Sequence, residues 1–417
     1  MNVVFLATAW GPRFGGINAF NQELATALAE VLGSKGMVFC AVIRPSAEDI
    51  ASAARQHVTL IPLDKTQAES FDAAWIDEIA RWLTEHHPDQ QISWWVGHDV
   101  VSGAAAVAAP KIAGGGAALI MHMSYIAYQA IKHDSGVDAE AKHRQQKALF
   151  GDPQATLFAV GPLLRDACSD LAGREPVMLI PGFPELPASA PSRSKFVAIT
   201  FGRMDGSSDR IKQGQLAVAG FGEAIAEWHL RPYFRALRCF DDRLLYVIGR
   251  AADSRVEEEQ AIQTAEKRAG RIVNLISLPY DENRQTLFER LISANVALML
   301  SWHEGFGLVG WEAIAAEVPL ILGHNSGLFR LIDQGLGGAG NGCVRDICVC
   351  GQRGRDDVDN YKEKDVMEVM NAILEVALDL PKAHQKAKTL RKMLCENFIC
   401  TWANTARQFL SGLGHEQ

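Results

Sequence analysis

Val296-Ala-Leu-Met-Leu-Ser-Trp-His-Glu304-Gly-Phe-Gly-Leu-Val-Gly-Trp-Glu312-Ala-Ile-Ala-Ala-Glu-Val-Pro-Leu-Ile-Leu322 decides the fold of this chain. An apolar run from Val296 to Ser301 reads as a buried strand. A glycine-rich turn follows, then a helical pattern, then a second apolar run from Val318 to Leu322. Buried strands joined through a helix make a parallel α/β unit. Glu304 then lies at the carboxyl end of a strand, ahead of a helix N-terminus, and Glu312 about two turns into that helix. Eight steps of about 100° bring the two carboxylates to within about 80° of one face. Carboxylates at the mouth of an α/β crevice accept hydrogen bonds, so they suit a ligand rich in hydroxyls.

Working outward, the same grammar fills the chain. A strand at Val3–Ala7, a loop holding Gly11 and Gly15-Gly16, and a helix from Asn18 to about Leu32 open it. Apolar runs at Met37–Ile43, Val58–Pro62, Ser93–Gly97, Ala117–Met123, Thr156–Gly161 and Val177–Pro181 alternate with helical patterns. One of these is Phe71–Thr84, with Phe71, Trp75, Ile79 and Trp82 at helical spacing. Pro181–Ser194 holds four prolines without periodicity and reads as a linker. The pattern restarts at Phe196–Gly202, Leu244–Gly249, Ile272–Leu278, Val296–Ser301, Val318–Leu322 and Cys343–Val349. It ends in helices near Glu363–Asp379, Lys382–Cys395 and Phe398–Leu410. The fold class is therefore α/β with two doubly wound Rossmann-like domains, residues 1–185 and 186–397.

Composition narrows the function. A chain of 417 residues, 48% hydrophobic and 22% charged, fits two soluble domains. A net charge of −8 argues against nonspecific nucleic-acid binding. No apolar run reaches the length of a spanning helix, and Val3 follows the start with no basic segment before it. The expectation is a cytoplasmic protein with no transmembrane segment, which leaves room for peripheral membrane contact. The eight cysteines read as reduced thiols. Cys343, Cys348 and Cys350 lack the paired spacing and fourth ligand of a zinc site, so no metal is assigned.

Two further clusters sit at strand ends. Arg203 follows the first strand of the second half, and Lys212 comes shortly after, with Arg210 competing for its role. A guanidinium fork and an ammonium converging there can neutralise a diphosphate. In the first half, His98-Asp99 and His122 end apolar runs, and Gly15-Gly16 lets backbone N–H groups approach an anion at a helix start.

Glu304, Gly305-Phe306-Gly307-Leu308, then Glu312-Ala313, a small residue, Val318-Pro319 and an apolar strand together resemble the donor-binding signature of the family 4 retaining glycosyltransferases. The resemblance implies the GT-B architecture: two domains facing across a cleft, with a C-terminal helix of about 398–417, carrying Trp402, crossing back to the first. It also implies a nucleotide-sugar donor, a hydroxyl acceptor, retention of anomeric configuration, and no metal or cofactor. By resemblance, Glu304 would bind the donor sugar, Glu312 the ribose, and Arg203 with Lys212 the leaving diphosphate. Gly305, Phe306, Gly307 and Leu308 would line the donor. Gly15 and Gly16 would face its phosphates, and His122 would lie near the C6 hydroxyl, with Asp99 helping to orient the site. The sequence departs from the pattern in two places. Gly206–Arg210 stretches the Arg203–Lys212 spacing, and Arg330 stands in Gly323–Ile332 where an acid is usual. These departures keep open a noncatalytic nucleotide-sugar sensor, and the shared fold keeps open a nucleotide-sugar 2-epimerase. Asp357 and Asp359 form an Asp-x-Asp in a polar loop and read as solvated.

Overall fold

A computed structural model describes residues 1–12, 15–65, 71–129, 136–186, 195–202, 211–230, 242–250, 254–279, 283–350 and 361–415. The chain forms two compact units. One comprises Met1–Ile126, Val137–Gly182 and Ile399–Gln417, and the other is built mainly from Phe183–Phe398.

The first unit runs β1 (Asn2–Leu6), α1 (Gly16–Leu32), β2 (Met37–Ile43), α2 (Ala47–Arg55), β3 (Val58–Leu63), α3 (Ala73–His86) and β4 (Trp94–His98). It continues with α4 (Asp99–Ala113), β5 (Gly116–Met121), α5 (Tyr125–Gln129), α6 (Gly136–Phe150), β6 (Thr156–Val160), α7 (Pro162–Ala172) and β7 (Val177–Leu179). The sheet order is β3-β2-β1-β4-β5-β6-β7, and every pairing is parallel. Val3 to Leu6 are wholly buried, as a central strand covered on both faces must be. The order reverses between β1 and β4, so their carboxyl ends diverge around a crevice.

The second unit runs β8 (Lys195–Phe201), α8 (Gly214–Leu230), β9 (Asp242–Arg250), α9 (Arg255–Ala269), β10 (Asn274–Pro279), α10 (Arg284–Ser293) and β11 (Val296–Met299). After these come α11 (Leu308–Ala315), β12 (Leu320–Gly323), α12 (Gly327–Asn341), β13 (Arg345–Ile347), α13 (Glu363–Leu378) and α14 (Leu380–Phe398). Its order, β10-β9-β8-β11-β12-β13, reverses between β8 and β11. Its core gathers Phe196, Leu216, Phe221, Trp228, Leu245 and Ile321.

The last helix, α15 (Trp402–Gly412), belongs to the first unit. Phe409 packs against Phe158 at 4.6 Å and Phe5 at 6.0 Å between ring centroids. Thr405 Oγ1 donates to the Ile180 carbonyl at 2.6 Å. The helix expected from Phe398 is two elements: Phe398 ends α14, Ile399 turns the chain at φ 50°, and Thr401 caps α15 by accepting from Asn404 N–H. The units divide at Gly182/Phe183 and Phe398/Ile399, beside the expected divisions after 185 and 397. Among the described residues, no helix is long and apolar enough to cross a membrane.

Candidate active site

At the β8/β11 reversal the chain brings Lys212 and Glu304 together. Trp302 N–H, just past β11, donates to the Ile211 carbonyl at 2.8 Å, which ties the segment after β8 to the segment after β11. Gly202 makes room for this: a Cβ there would meet the Lys212 Cβ at 2.8 Å. Lys212 Nζ consequently lies 2.5 Å from Glu304 Oε2, and Ser301 Oγ donates to the same oxygen at 3.0 Å. The Glu304 side chain is 19% exposed. Burial pushes its carboxyl pKa up, but the Lys212 charge and hydrogen bond, the Ser301 hydroxyl and His303 outweigh it and hold the group below its ordinary value. Glu304 is an anion that can only accept hydrogen bonds.

Glu304 is not part of the helix that follows. Gly305 and Phe306 turn the chain, and Gly307 caps α11 at φ 104°, a left-handed conformation that suits glycine; a Cβ there would also meet the Met299 Cε at 2.7 Å. The shared helical face expected for Glu304 and Glu312 is therefore corrected. Glu312 is the fifth residue of α11, little more than one turn in, and Leu308 is the first. Phe306 is buried and meets Trp311 edge-on at 5.5 Å. The turn is clasped from the far side by the segment in which Arg330 replaces an acid. Glu304 N–H donates to the Asn325 carbonyl, Gly327 N–H to the Glu304 carbonyl, and Leu328 N–H to the Phe306 carbonyl at 2.7 Å. Gly323–Ile332 thus sets the shape of the glutamate turn through its backbone, which the arginine leaves intact.

Three participants were not expected. Arg284, the first residue of α10, donates through Nη2 to Glu312 Oε1 at 3.0 Å, both side chains being 23% exposed. Asn283 caps that helix by accepting from Gln285 and Thr286 N–H, which fixes where the arginine begins. A cap residue followed by arginine after a strand was the signal available in the sequence. Ser301 and His303 flank Glu304. His303 is buried, hydrogen-bonds the Asn325 side chain, and among the described residues its Nε2 has no hydrogen-bond partner. Burial lowers its pKa against the opposing pull of Glu304 and Asn325. Arg203, Arg210, Asp357 and Asp359 lie outside the described residues.

The β1/β4 reversal of the first unit is built from different material. Gly15 caps α1 at φ 116° and Gly16 is its first residue. His98 ends β4, and its Nδ1 and His122 Nε2 are 2.9 Å apart. Its Nε2 is 2.9 Å from Asn21 Oδ1 on α1. Asp99 is wholly buried at φ 45°. It accepts from His122 N–H at 3.0 Å and from Gln146 Nε2 at 3.2 Å, which pins the chain after β5. Burial pushes the Asp99 pKa up to about 8, against hydrogen bonds from His122, Gln146 and Met123 that lower it. Burial likewise takes His98 down to about 3 and His122 well below the usual imidazole value. Both rings are neutral at ordinary pH. Asn21 and Gln146 were missed, although a polar residue on the otherwise apolar face of Ala25, Leu28 and Leu32 was a signal for Asn21.

A family model described as family 4 glycosyltransferase in conflict systems matches residues 4–409. Solved structures match over nearly their whole length. Sucrose-phosphate synthase from Thermosynechococcus elongatus is 17% identical with a TM-score of 0.67, over 99% of this chain and 98% of that one. HepE of Anabaena, solved in complex with UDP-glucose, is 15% identical with a TM-score of 0.66 over 100% of both chains. WaaG, a glycosyltransferase involved in lipopolysaccharide biosynthesis, is 16% identical with a TM-score of 0.62, over 98% of this chain and 100% of that one. These likenesses bear out the GT-B fold. A search of curated protein sequences finds no match.

Proposed function

Because the chain belongs to the family 4 glycosyltransferases of conflict systems, we propose that it moves a sugar from a nucleoside diphosphate donor to a hydroxyl acceptor, with retention and without a metal. The observation that carries this reading is the Lys212–Glu304–Ser301 cluster at the β8/β11 reversal. An ionised Glu304 accepts hydrogen bonds only, so its ligand must bring donors, as sugar hydroxyls do. Lys212 places an ammonium charge beside Glu304, and such a charge suits a diphosphate. Glu312, held by Arg284, is the second acceptor and takes the ribose hydroxyls. Arg203 and the α11 N-terminus add positive charge where the leaving group forms.

Retention by a covalent intermediate needs an accessible carboxylate in the first unit. Asp99, the carboxylate beside its histidines, is wholly buried with both oxygens accepting hydrogen bonds. A front-face displacement, in which the departing diphosphate takes the acceptor's proton, agrees better with that arrangement. The complex of HepE with UDP-glucose makes a uridine donor the first to try. The test is incubation with a panel of nucleotide sugars and simple hydroxyl acceptors. Nucleoside diphosphate release and the anomeric configuration of the product are then followed by NMR. Donor binding without release under any acceptor would favour a sensor, and interconversion of the sugar at C2 an epimerase.

A further inference from the structure

The first unit holds a hydrogen-bond chain whose direction can be read atom by atom. Asn21 Nδ2 donates to Cys40 Sγ on β2 at 3.3 Å, which turns Asn21 Oδ1 toward His98 Nε2 at 2.9 Å. An amide oxygen only accepts, so His98 Nε2 carries the hydrogen. His98 is 1% exposed, and burial keeps its ring neutral. A neutral imidazole has one N–H, so His98 Nδ1 is a lone pair, and the 2.9 Å contact to His122 must be donated by His122 Nε2. His122 is neutral as well, so its remaining nitrogen, Nδ1, is an acceptor. The ring is also wedged in place. Phe20, adjacent to Asn21 on α1, meets it edge-on at 5.0 Å, and Trp402 backs Phe20 at 5.3 Å. The Cys40 thiol, pushed up to about 12 by burial, stays protonated and does not perturb the chain with a charge.

We propose that Asn21 and His98 are positioning residues that lock His122 in the Nε2–H tautomer, so that its Nδ1 accepts a hydrogen bond from a substrate hydroxyl. The inference rests on the glycosyl-transfer reading and narrows it: the substrate group facing His122 is a hydroxyl. A carboxylate there would meet a lone pair, so a donor or acceptor carrying an acid at that position is refused.

The tautomer can be measured without any turnover. Two-bond 1H–15N correlation spectra of the full chain labelled with 15N-histidine, assigned through His98→Gln and His122→Gln, should show both rings as Nε2–H at pH 7. His122 protonated at Nδ1 overturns the proposal, whatever the enzyme assay gives. The second arm compares Asn21→Leu, which removes the acceptor, with Asn21→Asp, which keeps one. Asn21→Leu should put His122 into a mixture of tautomers and lower kcat about tenfold, with UDP affinity, measured calorimetrically, unchanged. Asn21→Asp sets an anion against His98 Nε2, so His98 should take up a second proton, donate from Nδ1 and switch His122 to Nδ1–H, with kcat falling as in Asn21→Leu. A purely structural Asn21 would lower the melting temperature in Asn21→Leu while leaving the tautomer and kcat alone, and that result also overturns the proposal. If no nucleotide sugar is turned over, the glycosyl-transfer reading fails by itself, and the spectra still decide the lock.

Discussion

At the reversal of the first sheet, the buried His98, Asn21 and Asp99 meet the half-buried His122, and the two rings are held neutral. At the reversal of the second, Lys212, Glu304, Arg284 and Glu312 meet as two ion pairs with side chains 19–26% exposed. The strand order leading to each is the same. The difference lies in counter-ions. A buried imidazole without an anion beside its ring gives up its charge, and what it keeps is direction, a donor on one nitrogen and an acceptor on the other. A carboxylate with a lysine or arginine in contact keeps its charge at the edge of solvent, where a charged ligand can compete for it. One centre is suited to orient a hydroxyl, the other to hold a diphosphate and many hydroxyls.

The largest expected effect comes from neutralising the charged centre. Glu304→Gln keeps the volume but removes the carboxylate charge beside Lys212, and should lower kcat by about 10²- to 10³-fold, the size of losing one preorganised electrostatic partner. Glu312→Gln should instead raise the donor KM about ten- to 150-fold, the equivalent of one charge-assisted bond of about 1.5–3 kcal/mol, with kcat little changed. Arg284→Met should move KM in the same direction by about fivefold or less, since a partly exposed pair contributes little by itself. Steady-state kinetics on the three variants decides it. Equal, small effects from both glutamates would reduce the charged centre to scaffolding and end the comparison.

Much of this was legible in the sequence because it is local. The strand at Met37–Ile43 has the bounds its apolar run predicts, and Glu304, Glu312 and Lys212 stand out around glycine turns. Partners that arrive from elsewhere in the chain were not legible. Arg284 is 28 residues from Glu312, and Asn21 is 77 from His98. Neither pairing leaves a spacing to read, because the sheet order creates it. The helical phase assigned to Glu304 failed for a different reason. Gly307 breaks the helix geometry between the two acids, and counting residues cannot see a φ of 104°.

A middle-sized effect separates the two centres by pH. His98 has a folded pKa near 3, below the ordinary 6.5, so the unfolded chain binds the extra proton and stability falls as pH drops through that window. The loss is about 2 kcal/mol between pH 7 and 5 for one such histidine. His122 adds to it in the same direction, while Asp99, whose pKa is raised, opposes it, since its neutral form favours the folded state as pH falls. Glu304, held below its ordinary value, costs stability only in more acid solution, once pH falls through that value. Urea unfolding at pH 7 and pH 5 should therefore show a smaller drop for His98→Gln than for the parent, by about 2 kcal/mol, and an unchanged drop for Glu304→Gln. Identical pH dependence in His98→Gln and the parent would mean that His98 titrates in the folded protein, and the neutral centre would not be neutral.

The smallest expected effect is none at all. If protein cations meet the charge of the leaving diphosphate, chelation should leave the rate where it was. Lys212 is already in place beside Glu304, and α11 begins at Leu308 with its N-terminus behind the glycine turn. These supply positive charge without an ion. Initial rates with EDTA, and again with added magnesium or manganese, should agree within error. A rate abolished by EDTA and restored by either ion would make the charged centre an incomplete one. The Asp357–Asp359 segment would then be the first place to look for the missing ligands. Lys212→Met sharpens the point. In a metal-independent enzyme it should weaken diphosphate binding, with magnesium giving no rescue, whereas rescue would show that the ammonium and a metal are interchangeable there.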